Sequence, residues 1–146
     1  MKKQKNKIIG LIPCRLNSTR LPQKALMLIE NLPLIIHTYK RAKLSKLLDD
    51  VYICCDHKKI TQIAKKYKAK YIYTSSNHLN GTERICEGYQ KLKNKVKNID
   101  LIVDIQGDEP LISPLHIDEV INFHNKNSDA DIILPTLQIS PTNNTN

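Results

Sequence analysis

The chain has few of the residues that mark the commonest cofactor and metal sites. It contains only four glycines in 146 residues, and neither a P-loop nor a G-x-G-x-x-G pattern occurs. Its cysteines form no C-x-x-C pair and have no Cys/His zinc spacing; they are Cys14, Cys54, Cys55 and Cys86. No Ser/His/Asp or Cys/His arrangement has a convincing spacing either. These absences argue against a P-loop nucleotidase, a dinucleotide-binding motif and a structural zinc site, and they predict reduced thiols.

Long apolar runs are missing as well. No run approaches the roughly eighteen residues that a membrane-spanning helix needs. The apolar segment that follows Met1–Lys7 is too short for a signal peptide. We therefore expect no membrane partner and a cytoplasmic location.

Acidic residues are scarce relative to basic ones, with 14 Asp and Glu against 23 Lys and Arg, a net charge of +9. Such a charge can indicate nucleic-acid binding. The lysines are scattered, however, and residues 1–7 form an expected basic N-terminal fray. One Phe and no Trp leave few rings on which bases could stack. We expect no nucleic-acid partner and a general attraction for anions, including nucleotide phosphates.

The remaining composition is that of an ordinary soluble domain, with 40% hydrophobic and 25% charged residues. One domain is expected at this length, and we assign it to residues 8–139, followed by a Pro/Thr/Asn-rich tail at 140–146 that we expect to be disordered. The apolar and β-rich runs predict strands at 8–12, 51–55, 70–73, 101–105 and 132–137. Helical patterns separate them, so the sequence predicts an α/β fold, a three-layer sandwich with a mostly parallel sheet.

Several local features follow from single residues. Pro13 is expected to end the first strand, residues 25–29 to be extended, and His37 to be structural. The predicted helix N-caps are Asp56 for the helix at 58–67, Thr82 for the helix that continues to 92, and Ser113 for the helix at 114–124. The expected buried side chains of that last helix are Leu115, Val120, Ile121 and Phe123.

Three cations follow the first strand, at Arg15, Arg20 and Lys24, with Ser18 and Thr19 between them. In an open α/β sheet, ligands bind outside the carboxyl ends of the strands. Guanidinium and ammonium groups with nearby hydroxyls suit a polyphosphate. The alternative interpretation is a solvated basic loop.

A polar turn at 74–84 follows the third predicted strand and leads into a helix. Gly81 allows a ligand to approach the backbone closely, and amides at a helix start favour anions and acceptor atoms. Arg84 falls in the first turn, where a cation is unfavourable beside the helix dipole. We therefore expect Arg84 to have an anionic or acceptor partner. The alternative is an ordinary capping loop.

The turn Gln106-Gly107-Asp108-Glu109-Pro110 follows the fourth predicted strand. Carboxylates at this position can hold Mg²⁺, which keeps several waters and bridges substrate phosphates; the alternative is a turn with solvated carboxylates. Asp104, inside the strand, is expected to reach a partner or the site, because an unpaired buried carboxylate is costly. The turns at 13–24, 74–84 and 106–110 are expected to converge along one edge of the sheet.

Three segments resemble the signatures of the 3-deoxy-manno-octulosonate (KDO) cytidylyltransferase family, in the family's order. They are P-C-R-L-N-S-T-R-L-P-Q-K at 13–24, N-G-T-E-R at 80–84 and Q-G-D-E-P at 106–110. The resemblance extends from Ile8 to about Thr136. It implies the nucleotide-diphospho-sugar transferase fold, a Rossmann-like sandwich. It also implies the reaction of CTP with KDO, which gives CMP-KDO and pyrophosphate for lipopolysaccharide biosynthesis.

The resemblance also implies roles for individual residues. Arg15 and Lys24 would neutralise the triphosphate, Asp108 would be the Mg²⁺ ligand, and Gln106 would contact the sugar acid; of these, Arg15, Lys24 and Asp108 are the expected catalytic residues. The implied nucleotide-binding residues are Cys14, Arg15, Ser18, Thr19, Lys24, Thr74, Asn80, Gly81 and Arg84. Three positions depart from the family signatures, since Cys14 replaces an alanine, Gln23 replaces a glycine and Asn80 replaces a serine.

The resemblance covers only the N-terminal part of the family, so the fold is expected to be truncated. The family continues beyond about Asn143 into a segment with further sugar contacts, a second metal-ligating carboxylate and much of the homodimer interface. Dimerisation is therefore not carried over to these 146 residues. Whether these residues are active alone is left open. Three alternative functions also stay open: a cytidylyltransferase for another acidic sugar (8-amino KDO or a sialic-type acid), a non-catalytic nucleotide-binding fragment and, below it, a nucleic-acid-binding protein.

Overall fold

The computed structural model describes residues 6–17 and 21–136. The expectations for Ser18, Thr19, Arg20 and the tail fall outside these residues. The strands are β1 (Lys7–Cys14), β2 (Leu28–Ile29), β3 (Leu32–Pro33), β4 (Asp50–Cys55), β5 (Tyr71–Tyr73) and β6 (Ile99–Asp104). The helices are α1 (Leu34–Ala42), α2 (Lys58–Lys66), α3 (Gly81–Lys93) and α4 (Pro114–Lys126). Within the described residues, no helix is long and apolar enough to cross a membrane.

Four strands form a parallel sheet in the order β5-β4-β1-β6. The register of β1 with β4 runs from Ile9 opposite Asp50 to Cys14 opposite Cys55. On its other side β1 pairs with β6, as far as Leu11 opposite Asp104. Because the pairs are parallel, the carboxyl ends of all four strands meet at one edge. The predicted α/β fold with a mostly parallel sheet is confirmed.

Helices cover both faces of this sheet, which gives three layers. One core cluster joins β1 and β4 to α1, α2 and α4, with Ile35, Ile60 and Ile121 fully buried. A second cluster packs Ile85 and Leu92 of α3 against the opposite face. Side chains of β1 alternate between the two clusters, as the period of a strand requires. Burial of each such aliphatic side chain contributes about 1.5–3 kcal/mol.

The first strand passes through Pro13 instead of ending there, so that expectation was wrong. The carbonyl of Leu11 accepts the amide of Ile105 at 3.0 Å. The backbone N–H and C=O groups of every second residue of β1, counted from Leu11, therefore point toward β6. Pro13 is the next of these residues, and β6 already ends at Asp104. The amide hydrogen that proline lacks therefore has no strand partner to lose.

The three predicted N-caps also differ from the structure. His57, not Asp56, caps α2, because its Nδ1 accepts the amide of Lys59 at 3.1 Å. Asn80, not Thr82, caps α3, because its Oδ1 accepts the amide of Glu83 at 2.9 Å. Ser113 does stand at the N-cap position of α4, but its side chain makes no capping hydrogen bond.

Residues 25–29 are only partly extended. Lys24–Leu26 forms a 3₁₀ turn after Gln23, whose φ of 55° is left-handed. The chain then enters the hairpin of β2 and β3, whose two turn residues, Glu30 and Asn31, have φ of 46° and 65°. His37 is structural, as expected, since its Nε2 lies 2.9 Å from the carbonyl oxygen of Ile29.

The C-terminal part departs furthest from expectation. No strand forms at 132–136, where Ile132 and Leu134 are exposed. A strand requires a neighbour to complete its hydrogen bonds, and in the described part of the chain nothing pairs with this segment. On α4 the buried residues are Ile117 and Ile121. Of the other expected core residues, Leu115 and Phe123 are exposed and Val120 is half-buried.

Candidate functional site

A cavity of about 620 Å³ opens at the carboxyl edge of the sheet. Each of the three turns singled out in the sequence contributes to its wall, so the predicted convergence is confirmed. The charged and polar residues that line it are Arg15, Lys24, His78, Asn80, Arg84, Gln106 and Asp108. The thiol of Cys14 and the backbone of Gly81 and Gly107 complete the same wall.

The first and third turns meet through an ion pair. Lys24 Nζ donates to Asp108 Oδ2 at 2.7 Å, although the two residues are 84 positions apart in the chain. Both side chains remain accessible, at 36% and 56% exposure. The cavity therefore presents a cation for phosphate and a carboxylate for a metal ion at the same point.

The Asp108 turn is pressed against the end of β1. A Cβ atom at Gly107 would lie 2.6 Å from the carbonyl oxygen of Pro13. No side chain fits in that space, so glycine allows the turn to approach the strand. Gly81 makes a looser approach, since its Cβ would lie 3.2 Å from Pro13 Cγ.

Arg84 has the anionic partner that its position demanded. Its Nη2 donates to Asp56 Oδ2 at 2.8 Å, and both side chains are nearly buried. Its Nη1 donates to Thr74 Oγ1 at 2.7 Å and to the carbonyl oxygen of Ser75 at 3.1 Å. Asp56 Oδ1 in turn accepts the amide of Leu16 at 3.2 Å. The Arg84–Asp56 pair thus ties the cationic loop to the start of α3.

Two residues predicted to bind nucleotide, Thr74 and Asn80, make structural contacts within the protein. Thr74 is 1% exposed and lies behind Arg84, outside the cavity lining. Asn80 lines the cavity, but its Oδ1 caps α3 and its Nδ2 donates to Glu83 Oε1 at 3.3 Å. The amide of Leu79 also donates to Glu83, at 2.9 Å, which completes a reciprocal cap.

Gln106 is oriented by a neighbouring strand residue. Its Nε2 donates to Asp104 Oδ1 at 3.2 Å, so Asp104 has a partner as expected, but the residue is exposed and not buried in the strand. Partial desolvation raises the pKa of Asp104 above its ordinary value. Gln106 lines the cavity, and its side chain also carries the acceptor atom Oε1.

His78 and Glu87 belong to the site and were missed in the sequence. His78 lines the cavity, and its Nε2 contacts Glu87 Oε2. Glu87 also accepts from Lys91 Nζ at 2.6 Å and from the amide of Ser75 at 2.8 Å. Burial alone would raise the pKa of Glu87, but these hydrogen bonds lower it to about 2. The available signal was the spacing of Glu83, Glu87 and Lys91 along one face of α3.

Cys14 forms part of the cavity wall as an uncharged group. Burial, with a smaller effect from Cys55, raises the pKa of the Cys14 thiol far above its usual range. Since the thiolate is the reactive form of cysteine, this shift disfavours nucleophilic reaction at Cys14.

The donor set suits magnesium and not a tightly chelated metal. Among the residues that the structure describes, no group of three or more His, Cys, Asp or Glu side chains could hold a metal ion. Asp108 is the carboxylate in the cavity lining. Mg²⁺ is commonly held by one or two carboxylates together with substrate phosphates and water. Asp108 beside Lys24 fits that mode of binding.

Comparison with known proteins agrees with this geometry. The sequence profile described as Cytidylyltransferase matches residues 9–144. The chain belongs to the cytidylyltransferase family. The chain is 39% identical over 125 residues to the 3-deoxy-manno-octulosonate cytidylyltransferase of Thermodesulfovibrio yellowstonii, a match that covers 84% of the chain and 49% of the relative. It is 40% identical to the Rickettsia canadensis enzyme of the same name, over 88% of the chain and 52% of the relative.

Solved structures show the same relationship. A CMP:2-keto-3-deoxy-manno-octonic acid synthetase complexed with CTP superposes with a TM-score of 0.77 and 31% identity, covering 84% of this chain and 49% of that chain. A cytidylyltransferase from Leptospira borgpetersenii superposes with a TM-score of 0.70 and 28% identity, covering 84% and 50%. The chain thus spans about half the length of the relatives that it matches.

Proposed function

We propose that this chain binds CTP with Mg²⁺ and serves in the cytidylyl transfer that converts KDO and CTP to CMP-KDO and pyrophosphate. The observation that carries the proposal is the contact between Lys24 and Asp108, 2.7 Å apart in a cavity that also contains Arg15 and Gln106. A cation that could bind phosphate (Lys24) and a carboxylate that could bind a metal ion (Asp108) therefore lie in the same cavity as Gln106, whose amide suits a sugar hydroxyl. Relatives named KDO cytidylyltransferase support the substrate assignment.

The reaction requires positioning and charge neutralisation more than covalent work by the protein. The anomeric hydroxyl oxygen of the sugar bonds to the α-phosphorus of CTP and loses its proton to solvent. The bond from that phosphorus to the oxygen of the β-phosphate breaks, and pyrophosphate leaves. Arg15 and Lys24 would hold the triphosphate oxygens, and the Oε1 atom of Gln106 would accept a hydrogen bond from a sugar hydroxyl. Mg²⁺ at Asp108 would neutralise charge on the phosphates. The Arg84–Asp56 pair would keep the loop of Arg15 in place.

A second acidic sugar is supported by a specific match. The chain is 39% identical to the 8-amino-3,8-dideoxy-manno-octulosonate cytidylyltransferase of a Shewanella strain, over 80% of the chain and 46% of the relative. That sugar is our second candidate substrate. We also propose a cytoplasmic location and a role in lipopolysaccharide biosynthesis, both of which follow from the KDO assignment.

The decisive experiment separates nucleotide binding from catalysis. Calorimetric titration of the 146-residue chain with CTP and Mg²⁺ is expected to show binding, with weaker binding of UTP and ATP. Pyrophosphate release is then measured with KDO and, separately, with 8-amino KDO. Release with either sugar identifies the substrate, while binding without release identifies a nucleotide-binding module. Failure of CTP to bind, in a chain shown to be folded by circular dichroism, would overturn the proposal.

A further inference from the structure

Helix α1 contacts the segments that carry both charges of the Lys24–Asp108 pair. At its first turn, the amide of Leu34 donates to the carbonyl oxygen of Met27 at 2.8 Å. His37 Nε2 contacts the carbonyl oxygen of Ile29 at 2.9 Å. These two bonds hold the chain that follows Lys24 against the start of the helix.

Farther along, α1 holds the turn that carries Asp108. Thr38 is fully buried, and its hydroxyl lies 3.3 Å from the carbonyl oxygen of Gly107 and 3.4 Å from that of Leu34. One turn later, Arg41 Nε donates to the carbonyl oxygen of Ile112 at 3.1 Å. Helix α1 therefore makes hydrogen bonds to the 107–112 segment at both of its ends, and Asp108 lies between the two contacts.

We infer that Thr38 and Arg41 are positioning residues that fix the 107–112 turn so that Asp108 faces Lys24. The inference rests on the proposed function, because its consequence is for the binding of Mg²⁺ with CTP. Neither residue lines the cavity, so their effect passes through the backbone of the turn.

Contact with the end of β1 does not by itself fix the position of the 107–112 turn. Pro13 limits how closely Gly107 can approach, but a limit of closest approach does not prevent the turn from moving outward. The Asp108 side chain is 56% exposed and gains little restraint from packing. Within the turn itself, the bonds from Glu109 to Gln106 and from Ile112 to Glu109 are 3.3 and 3.2 Å long. The hydrogen bonds from α1 oppose the outward movement.

A purely structural role for the same residues makes a different prediction. If Thr38 and Arg41 only joined α1 to the rest of the core, their replacement would lower global stability and change binding with and without metal alike. If they position Asp108, replacement will weaken the contribution of Mg²⁺ without weakening the metal-free binding of CTP.

The test uses Thr38→Val and Arg41→Met in the 146-residue chain. Thr38→Ser keeps the hydroxyl and is the conservative variant; Lys40→Met removes an exposed charge from the same helix and is the matched control for Arg41. Hydrogen exchange at the Glu109 and Ile112 amides is expected to accelerate roughly three- to tenfold in Thr38→Val, the worth of one neutral hydrogen bond. The acceleration in Arg41→Met is expected to be at least as large, because its hydrogen bond comes from a charged group. CTP affinity with Mg²⁺ is expected to fall by a similar factor.

The outcomes separate this inference from the proposed function. Unchanged exchange in both Thr38→Val and Arg41→Met overturns the inference, whether or not the wild-type chain binds CTP. Faster exchange with no CTP binding by the wild type supports the positioning and contradicts the function. Equal loss of CTP affinity with and without Mg²⁺, or the same loss in Thr38→Ser or Lys40→Met, also overturns the inference.

Discussion

Lys24 and Asp108 are paired in the structure, and a magnesium–CTP complex would require each of them for a different partner. When CTP binds without metal, the Asp108 carboxylate repels the triphosphate. We expect Asp108→Asn to strengthen metal-free CTP binding about fivefold, the scale of one surface charge interaction, and to remove the gain from Mg²⁺. Titration calorimetry in Mg²⁺ and in a chelator measures both quantities.

Asp129→Asn is the matched control, because it removes an exposed acidic charge outside the cavity lining. It is expected to leave the effect of Mg²⁺ unchanged. Weaker metal-free binding in Asp108→Asn would show that the carboxylate serves mainly to hold Lys24 in place and not to bind a metal ion.

Asp104 provides a test of pH dependence. Asp104 is exposed, but partial desolvation raises its pKa above the ordinary 3.8, so the folded state slightly disfavours the charged form. Stability is therefore lost as pH rises through the folded-state pKa, and it is restored below the unfolded value. Asp104→Asn keeps an acceptor for Gln106 without the charge. We expect a higher melting temperature than wild type at pH 7 and a difference that shrinks as pH falls toward 3.8. A difference that persists at low pH would contradict this origin.

The pKa of Glu87 is shifted in the opposite direction to that of Asp104. Although burial opposes its charge, hydrogen bonds lower its pKa from 4.5 to about 2, so the charged form is favoured in the folded state. The stabilisation is present above 4.5 and is lost as pH falls from 4.5 toward 2. We expect Glu87→Gln to lower the melting temperature at pH 7, with a deficit that narrows in that acidic window. A deficit independent of pH would indicate a loss of packing instead of charge.

At the scale of elements, the strength of local patterns decided what the sequence could predict. The apolar runs of β1, β4 and β6 were found, because each is too short for a typical helix and is bounded by polar or charged residues. The caps were not found, because Asp56 and His57 are both capable of capping and only the tertiary contact with Arg84 decides between them. Similarly, the interaction of Thr38 with Gly107 joins residues 69 positions apart and has no local signature.

The packing of α3 against the sheet depends on Gly88. A Cβ atom there would lie 2.5 Å from Cys54 Sγ, which is fully buried. Alanine would favour the helix by about 1 kcal/mol, but overpacking costs about 1–3 kcal/mol. We expect Gly88→Ala to destabilise the protein in urea unfolding, and we expect Cys54→Ala to relieve part of that loss in the double variant. Additive effects of the two changes would contradict a clash between them.

At the scale of the whole molecule, the alternation of strands and helices in the sequence was enough to predict the parallel topology and the convergence of the three turns. The order of the strands did not, since it depends on long-range pairing. The predicted strand at 132–137 failed for the same reason, because its β-rich sequence has no neighbour in the described chain. Of the site, the charged residues were predictable, whereas the His78–Glu87 contact requires the fold to bring the two side chains together.

The exposed side chains after β6 have a consequence for association. Leu111, Leu115 and Phe123 are 87%, 64% and 55% exposed, and β6 is an edge strand within the described sheet. Exposed apolar surface beside a strand edge favours self-association, which a net charge of +9 opposes. We expect light scattering to increase with protein concentration and with salt, which screens that charge.

The matched variant is Leu115→Lys with Phe123→Lys, both on the exposed side of α4. It is expected to suppress the salt-dependent scattering while the far-ultraviolet circular dichroism stays unchanged. Scattering that rises equally in the variant would assign the association to another part of the surface.

The four thiols differ so strongly in exposure that a thiol reagent can label the native chain at a single position. Cys14, Cys54 and Cys55 are buried, and desolvation raises the pKa of Cys54 and of Cys55 to about 12. Cys86 is exposed on α3, two residues after Arg84. A maleimide fluorophore should therefore attach at Cys86 alone without any engineering, next to the helix start that lines the cavity, and its emission would report nucleotide binding directly.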